Sequence, residues 1–143
     1  MLWIIVAIIA VLVLFTVYAF NKLRRTDIGA QEALGGIDVQ LTRRADLIPN
    51  LVNTVKGYAQ HEKGVFEAVT EARAGVAKAA KDGSPADKAA ADAKLSKAII
   101  DVLAVAEAYP DLKASANFQA LQAELAETEN KLSFARQFYN DAV

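Results

Sequence analysis

Of the side chains that most readily bind metals, attack substrates or shuttle protons near neutral pH, this chain carries one histidine, His61, and no cysteine. Missing thiols exclude disulfides, thiolate metal sites and cysteine nucleophiles. A zinc site needs several convergent ligands, and one imidazole among carboxylates would be an unusual set. His61, in Tyr58-Ala59-Gln60-His61-Glu62, therefore reads as a structural residue. Glu124, Glu127 and Glu129 lack the Glu-x-x-His pairing of di-iron helical bundles and read as a solvated face. There is no glycine-rich phosphate loop, G-x-S-x-G turn or H-E-x-x-H pair. The expectation is a protein with no cofactor, no metal and no catalytic activity.

One polar run, Asp38-Val39-Gln40-Leu41-Thr42-Arg43-Arg44-Ala45-Asp46, is denser than a surface face requires. Two readings fit it. In the preferred one, Asp38, Arg43, Arg44 and Asp46 form solvent-facing pairs, each contributing under about 1 kcal/mol. In the other, one arginine is bound by acidic residues of another helix, such as Glu127 or Glu129, and fixes register or docks a neighbour. Glu62 raises the same question, because it interrupts an apolar stripe and a buried carboxylate needs a partner.

Helices position these residues. Three prolines mark candidate boundaries. In Lys81-Asp82-Gly83-Ser84-Pro85-Ala86-Asp87, Gly83 suits a left-handed C-terminal residue, Ser84 a cap, Pro85 the first helical position and Asp87 the positive end of the dipole. Tyr109-Pro110-Asp111 is a second break, with Asp111 as cap of the last helix. Pro49 either begins a helix or kinks a longer one. Between these breaks apolar residues recur at spacings of three and four. Examples are Leu51, Val55, Val65, Val69, Ala72 and Val76, then Leu95, Ala98, Val102 and Val105, then Phe118, Leu121, Leu125, Thr128, Leu132 and Tyr139, with Phe134 and Phe138 widening the last seam. Nothing alternates at period two. The pattern predicts an all-α fold in which an N-terminal transmembrane helix (residues 1–21) continues into an antiparallel four-helix bundle (22–143), with helices near 22–46, 49–82, 85–108 and 111–143.

The anchor is the strongest single signal. Leu2 to Phe20 contains no charge, Gly or Pro, and as a helix extends roughly 28 Å, close to the thickness of a bilayer's hydrocarbon core. Trp3 and Tyr18 suit the two interfaces. Tyr18-Ala19-Phe20 is a poor cleavage site, so an uncleaved anchor is expected rather than a signal peptide. Lys22, Arg24 and Arg25 lie only on the C-terminal side and favour contact with anionic headgroups. They predict the N-terminus outside and the bundle in the cytoplasm. With 16 basic residues against 17 acidic, nothing in the charge points to nucleic acid.

Several longer segments are distinctive: Ile37 to Leu41, Arg43-Arg44-Ala45-Asp46-Leu47-Ile48-Pro49-Asn50-Leu51-Val52, Thr54 to Ala59 and Glu67 to Ala74. Tyr109 to Ala114, Glu127-Thr128-Glu129-Asn130-Lys131 and Ala135 to Asp141 join them. Together, over roughly Ala30 to Val143, they resemble the LemA family of bacterial membrane proteins. The resemblance implies a bacterial inner-membrane, single-pass protein with a helical bundle, and no established catalytic residue or cofactor. Leu34-Gly35-Gly36 stands where relatives commonly have a Trp, which implies a looser first helix. Relatives also run on to an apolar, Phe- and Pro-containing tail past Val143, which implies a shortened last helix. Together these readings predict a membrane-anchored scaffold that self-associates, bound to membrane lipid and to a protein partner yet unknown. The alternative is a regulatory or sensor subunit of a membrane protease or signalling complex.

Overall fold

The computed structural model describes residues 2–143; Met1, first residue of the expected anchor, lies outside them. The chain is all-α, as expected: α1 (Leu2–Lys56), α2 (Lys63–Asp82), α3 (Pro85–Glu107), the single turn α4 (Pro110–Lys113) and α5 (Ala116–Ala142). Two compact units are present. Gln40–Asn130 form one, and residues up to Val39 with Lys131–Val143 form the other.

Gln40–Asn130 contains four long helical segments, and side-chain pairs fix their directions. Arg73 of α2 reaches Ala45 of α1, whereas the Lys56 ammonium lies over the Phe66 ring, so α2 descends as α1 rises. Arg44 meets Glu129 and Thr54 meets Asn117, so α5 also runs against α1. Glu71 pairs with Lys94, while Val65 and Ala68 share a groove with Asp101 and Val105, which sets α3 against α2. The result is an antiparallel four-helix arrangement. Leu47, Ile48, Leu51, Val55, Phe66, Val69, Leu95, Val102, Phe118 and Leu125 converge in its core. Fully burying one of the larger apolar side chains contributes about 1.5–3 kcal/mol. Ala59, Ala72, Ala98 and Ala106 lie in the same core and let the helices approach at the cost of buried area.

Two expected boundaries shift. No helix runs 49–82: α1 passes through Pro49 to Lys56, and the reversal falls at residues 57–62. The apolar stripe that Glu62 interrupts therefore spans a turn and not one helix. Tyr58 is exposed, Ala59 is buried beneath the turn, and Glu62 is the N-terminal boundary residue of α2, making no side-chain cap bond. The low helix propensity of Gly57 and Gly64 favours a reversal there, and the core requires one, because Phe66 and Val69 can cover Leu51 and Val55 only if the chain turns back. Likewise, Asp111 does not cap the last long helix. α4 ends after one turn with Leu112 fully buried, and Ser115 Oγ accepts from the Phe118 N–H at 3.4 Å as α5 begins.

Pro49 is tolerated for a visible reason. A proline inside a helix has no N–H for the carbonyl four residues earlier, here that of Ala45. Arg73 Nε, from α2, donates to that carbonyl at 2.9 Å. A neighbouring helix thus supplies the missing donor.

The α2–α3 turn matches expectation more closely. Ser84 and Asp87 form a reciprocal capping box, with the Ser84 N–H donating to Asp87 Oδ2 at 2.9 Å and the Asp87 N–H donating to Ser84 Oγ at 3.2 Å. Gly83 is extended (φ −84°), not left-handed. A Cβ there would still lie 2.5 Å from the Ala79 carbonyl oxygen, so space rather than handedness requires glycine.

In the other unit α1 pairs with the end of α5 around buried Ala33 and Leu132. A methyl placed on Gly29 or Gly36 would lie 3.8 Å from the Cβ of Ala142 or Ala135, so small residues oppose small residues at seven-residue intervals. Phe134 and Phe138 do not widen this seam. They are 71% and 45% exposed, because each precedes a seam residue and is rotated by about 100° away from it.

Replacing Arg73 with Met should destabilise the protein by about 1.5–3 kcal/mol, the usual range for a hydrogen bond from a charged donor. In a Pro49→Ala background the same change should cost clearly less, since an alanine at that position restores the N–H that the Ala45 carbonyl lacks; urea unfolding of the four chains measures the coupling. The Ser84 hydrogen bonds hold the Asp87 carboxyl below the ordinary carboxylate range. A folded-state value below the unfolded one stabilises above the unfolded pKa, and the effect disappears as pH falls through the folded value. In Ser84→Ala, Asp87 should titrate nearer an ordinary carboxylate by NMR, and acid unfolding should lose that contribution.

Candidate functional site

On α1, Arg44, Ile48, Leu51 and Val55 follow one another at spacings of four, three and four, which turns all four into the bundle. Arg44 is fully buried there. Its guanidinium Nη1 donates to Ser96 Oγ at 3.0 Å and to Glu129 Oε1 at 2.6 Å. Nη2 donates to the Asp92 carbonyl at 3.3 Å and to its carboxylate oxygen Oδ1. One planar cation thus joins α1 to α3 and α5, a task suited to the guanidinium fork and poorly matched by an ammonium. Asp92 is buried as well, whereas the Glu129 side chain is about half exposed (49%). Among the described residues Arg44 Nε and Gln40 Oε1, one turn apart, are buried without a partner.

The adjacent residue supplies the fourth helix, since the Ala45 carbonyl receives Arg73 of α2. All four long helices are therefore tied by polar bonds at two consecutive residues of α1. An exposed Glu71–Lys94 pair at 2.8 Å links α2 to α3 nearby. The Lys94 hydrogen bond, and then its charge, hold the Glu71 carboxyl below its ordinary value.

The preferred reading of the polar run as solvent-facing pairs fails for Arg44 and gives way to the other: Glu129 is its partner, and burial on the core stripe is the reason. Glu127 is exposed and is not the residue that Arg44 reaches. Arg43 is half-buried, while Asp38 and Asp46 are exposed. Glu62 lies in the α1–α2 turn beside Val65, Ala68 and Asp101, away from the cluster. Asp92, Ser96, Gln40 and Arg73 were not singled out from sequence. Asp92 could have been: the α3 stripe of Leu95, Ile99 and Val102, extended back by three, lands on it.

A half-open groove of about 330 Å³ between α3 and α5, lined by Ile99, Ile100, Leu103 and Leu125, reaches Ser96 and Glu129 at the edge of the cluster. Among the described residues no group of three or more His, Cys, Asp or Glu is placed to hold a metal ion.

Trp3, Tyr18, Lys22, Arg24 and Arg25 are exposed along α1. This is the one helix among the described residues long and apolar enough to cross a membrane, and its most apolar window is uncovered by protein. An uncovered apolar segment of this length is consistent with membrane anchoring.

A family model described as LemA family matches residues 33–143, a span that contains Arg44, Arg73, Asp92, Ser96 and Glu129. No curated protein matches the chain.

Removing Arg44 takes a fully buried guanidinium away from both of its carboxylate partners, so Arg44→Met should cost about 3–5 kcal/mol in denaturant unfolding. Glu129→Gln, which alters a half-exposed partner, should cost under about 1 kcal/mol. Equal losses would show that Asp92 is not the partner that matters.

Proposed function

The chain belongs to the LemA family, and from that premise we propose that it is a membrane-anchored helical scaffold that self-associates and recruits or organises other proteins, without catalysis of its own. The observation that carries this reading is α1, an uninterrupted helix from Leu2 to Lys56 that supplies both the apolar anchor and one wall of the bundle. Tethering in a plane raises the effective concentration of copies, so weak helix-face contacts suffice for assembly. The basic flank at Lys22, Arg24 and Arg25 supports an orientation in a bacterial inner membrane with the N-terminus outside and the bundle cytoplasmic. Its partners in this reading are lipid, further copies of the chain and another protein, not nucleic acid.

A second reading, a regulatory or sensor subunit of a membrane protease or signalling complex, draws on Arg43 and Asp46. On α1 Asp46 is exposed and Arg43 half-buried, while Arg44 turns inward. The full chain in mild detergent should show an oligomeric mass that falls on dilution; a monomer at every concentration would overturn the scaffold reading. Arg43→Glu separates the two, because loss of a crosslinked protein with oligomeric mass unchanged favours the regulatory subunit.

A further inference from the structure

We propose that α1 carries an internal water site between Arg44 and Gln40, in which one water molecule accepts the Arg44 Nε–H and donates to Gln40 Oε1. The site is independent of self-association and of any partner protein.

Its origin is the donor count of the buried guanidinium. An arginine head carries five N–H groups in one plane and no acceptor. Those of Nη1 are taken by Ser96 Oγ and Glu129 Oε1, and those of Nη2 by the Asp92 carbonyl and carboxylate. The remaining donor, on Nε, is buried and meets no acceptor among the described residues. One turn earlier on α1 stands Gln40, half-buried as a residue, whose Oε1 is buried and receives no donor. The two unpaired atoms are complementary, since one donates and the other accepts. Residues four apart in a helix share a face, with Cβ atoms about 5–6 Å apart, so both side chains leave α1 on the same flank. A buried polar atom left unpaired beside a charge is strongly unfavourable in surroundings of low dielectric, so both atoms require a partner.

Pairing chemistry identifies the ligand. It must accept from a cationic N–H and also donate to an amide oxygen. A halide would satisfy Nε but presents no hydrogen to Gln40. A metal ion or ammonium would suit the amide oxygen and be repelled by the guanidinium. The fully buried hydroxyl of Thr128, which precedes Glu129 on α5, is already committed, because its proton goes to the Glu124 carbonyl at 2.8 Å. Water is small, neutral and both donor and acceptor, and two polar partners suffice to hold it in an interior. Gln40 thereby acquires a role in the polar run: through water, its amide completes the shell of Arg44.

The test is NMR on the full isotope-labelled chain in detergent micelles, read at the Arg44 Hε resonance. Its cross-peaks to water should have opposite signs in laboratory-frame and rotating-frame Overhauser spectra, the signature of a bound molecule rather than of proton exchange. The Hε hydrogen should also exchange at least about tenfold more slowly than that of exposed Arg24. Gln40→Met keeps the length of the side chain and removes the acceptor, so the bound-water cross-peak should be lost. Exchange-type peaks of equal sign would overturn the site, as would an Hε contact to the Gln40 amide with no water peak. A water peak that survives in Gln40→Met would do the same, because Gln40 would then not be a partner. Should Gln40→Met fail to fold, the spectra of the unaltered chain decide.

Discussion

A fully buried guanidinium is the constraint on which the bundle depends. Arg44 cannot be neutralised, and an ion of that kind placed in a low-dielectric interior is strongly unfavourable unless its donors meet acceptors in good geometry. Those acceptors come from two other helices, Asp92 on α3 and Glu129 on α5, with Ser96 filling a further position. Sliding either helix by one turn would move its acceptors by about 5.4 Å and strand the charge. The apolar layers above it, built from Leu, Val and many Ala, resist such a shift far less, because one aliphatic contact is readily exchanged for another.

Pro49 places a second demand at nearly the same level. It strips the Ala45 carbonyl of its helical partner, and Arg73 supplies the replacement from α2. A defect in one helix thus becomes a docking point for another. Two arginines on different helices, one facing inward from α1 and one reaching across to it, leave no long helix of the bundle unattached at this level. The conditions are coupled in sequence: α1 must be helical through Pro49 to present Arg44 and the core residues Ile48 and Leu51 in phase.

Much of this was legible in the chain itself. The uncharged run from Leu2 to Phe20, the all-helical periodicity and the break at Ser84-Pro85 depend on local composition and short-range spacing, and each appears where those rules place it. The errors have a common origin. A stripe with spacings of three and four continues across a turn as easily as along a helix, so residues 57–62 looked helical. The same rule cannot tell Ala135, in the seam, from Phe134, one position out of it, when both are apolar. Within the cluster, Glu129 was weighed as a partner because it sits among acidic residues on α5. Asp92 looks like any solvated carboxylate of an alanine-rich helix, and only the α3 stripe extended back from Leu95 points to it.

By itself the sequence determined that the chain is helical, that one segment is long and apolar enough to cross a membrane, and that thiol chemistry is excluded. Those properties follow from side-chain composition and from interactions within a few residues along the chain. Only the tertiary structure decided that Arg44, rather than Arg43, is the interior charge, that α1 persists through Pro49, and that Phe134 and Phe138 stay outside the seam. Each of these depends on partners dozens of residues away, whose distance and direction are fixed only when the helices pack.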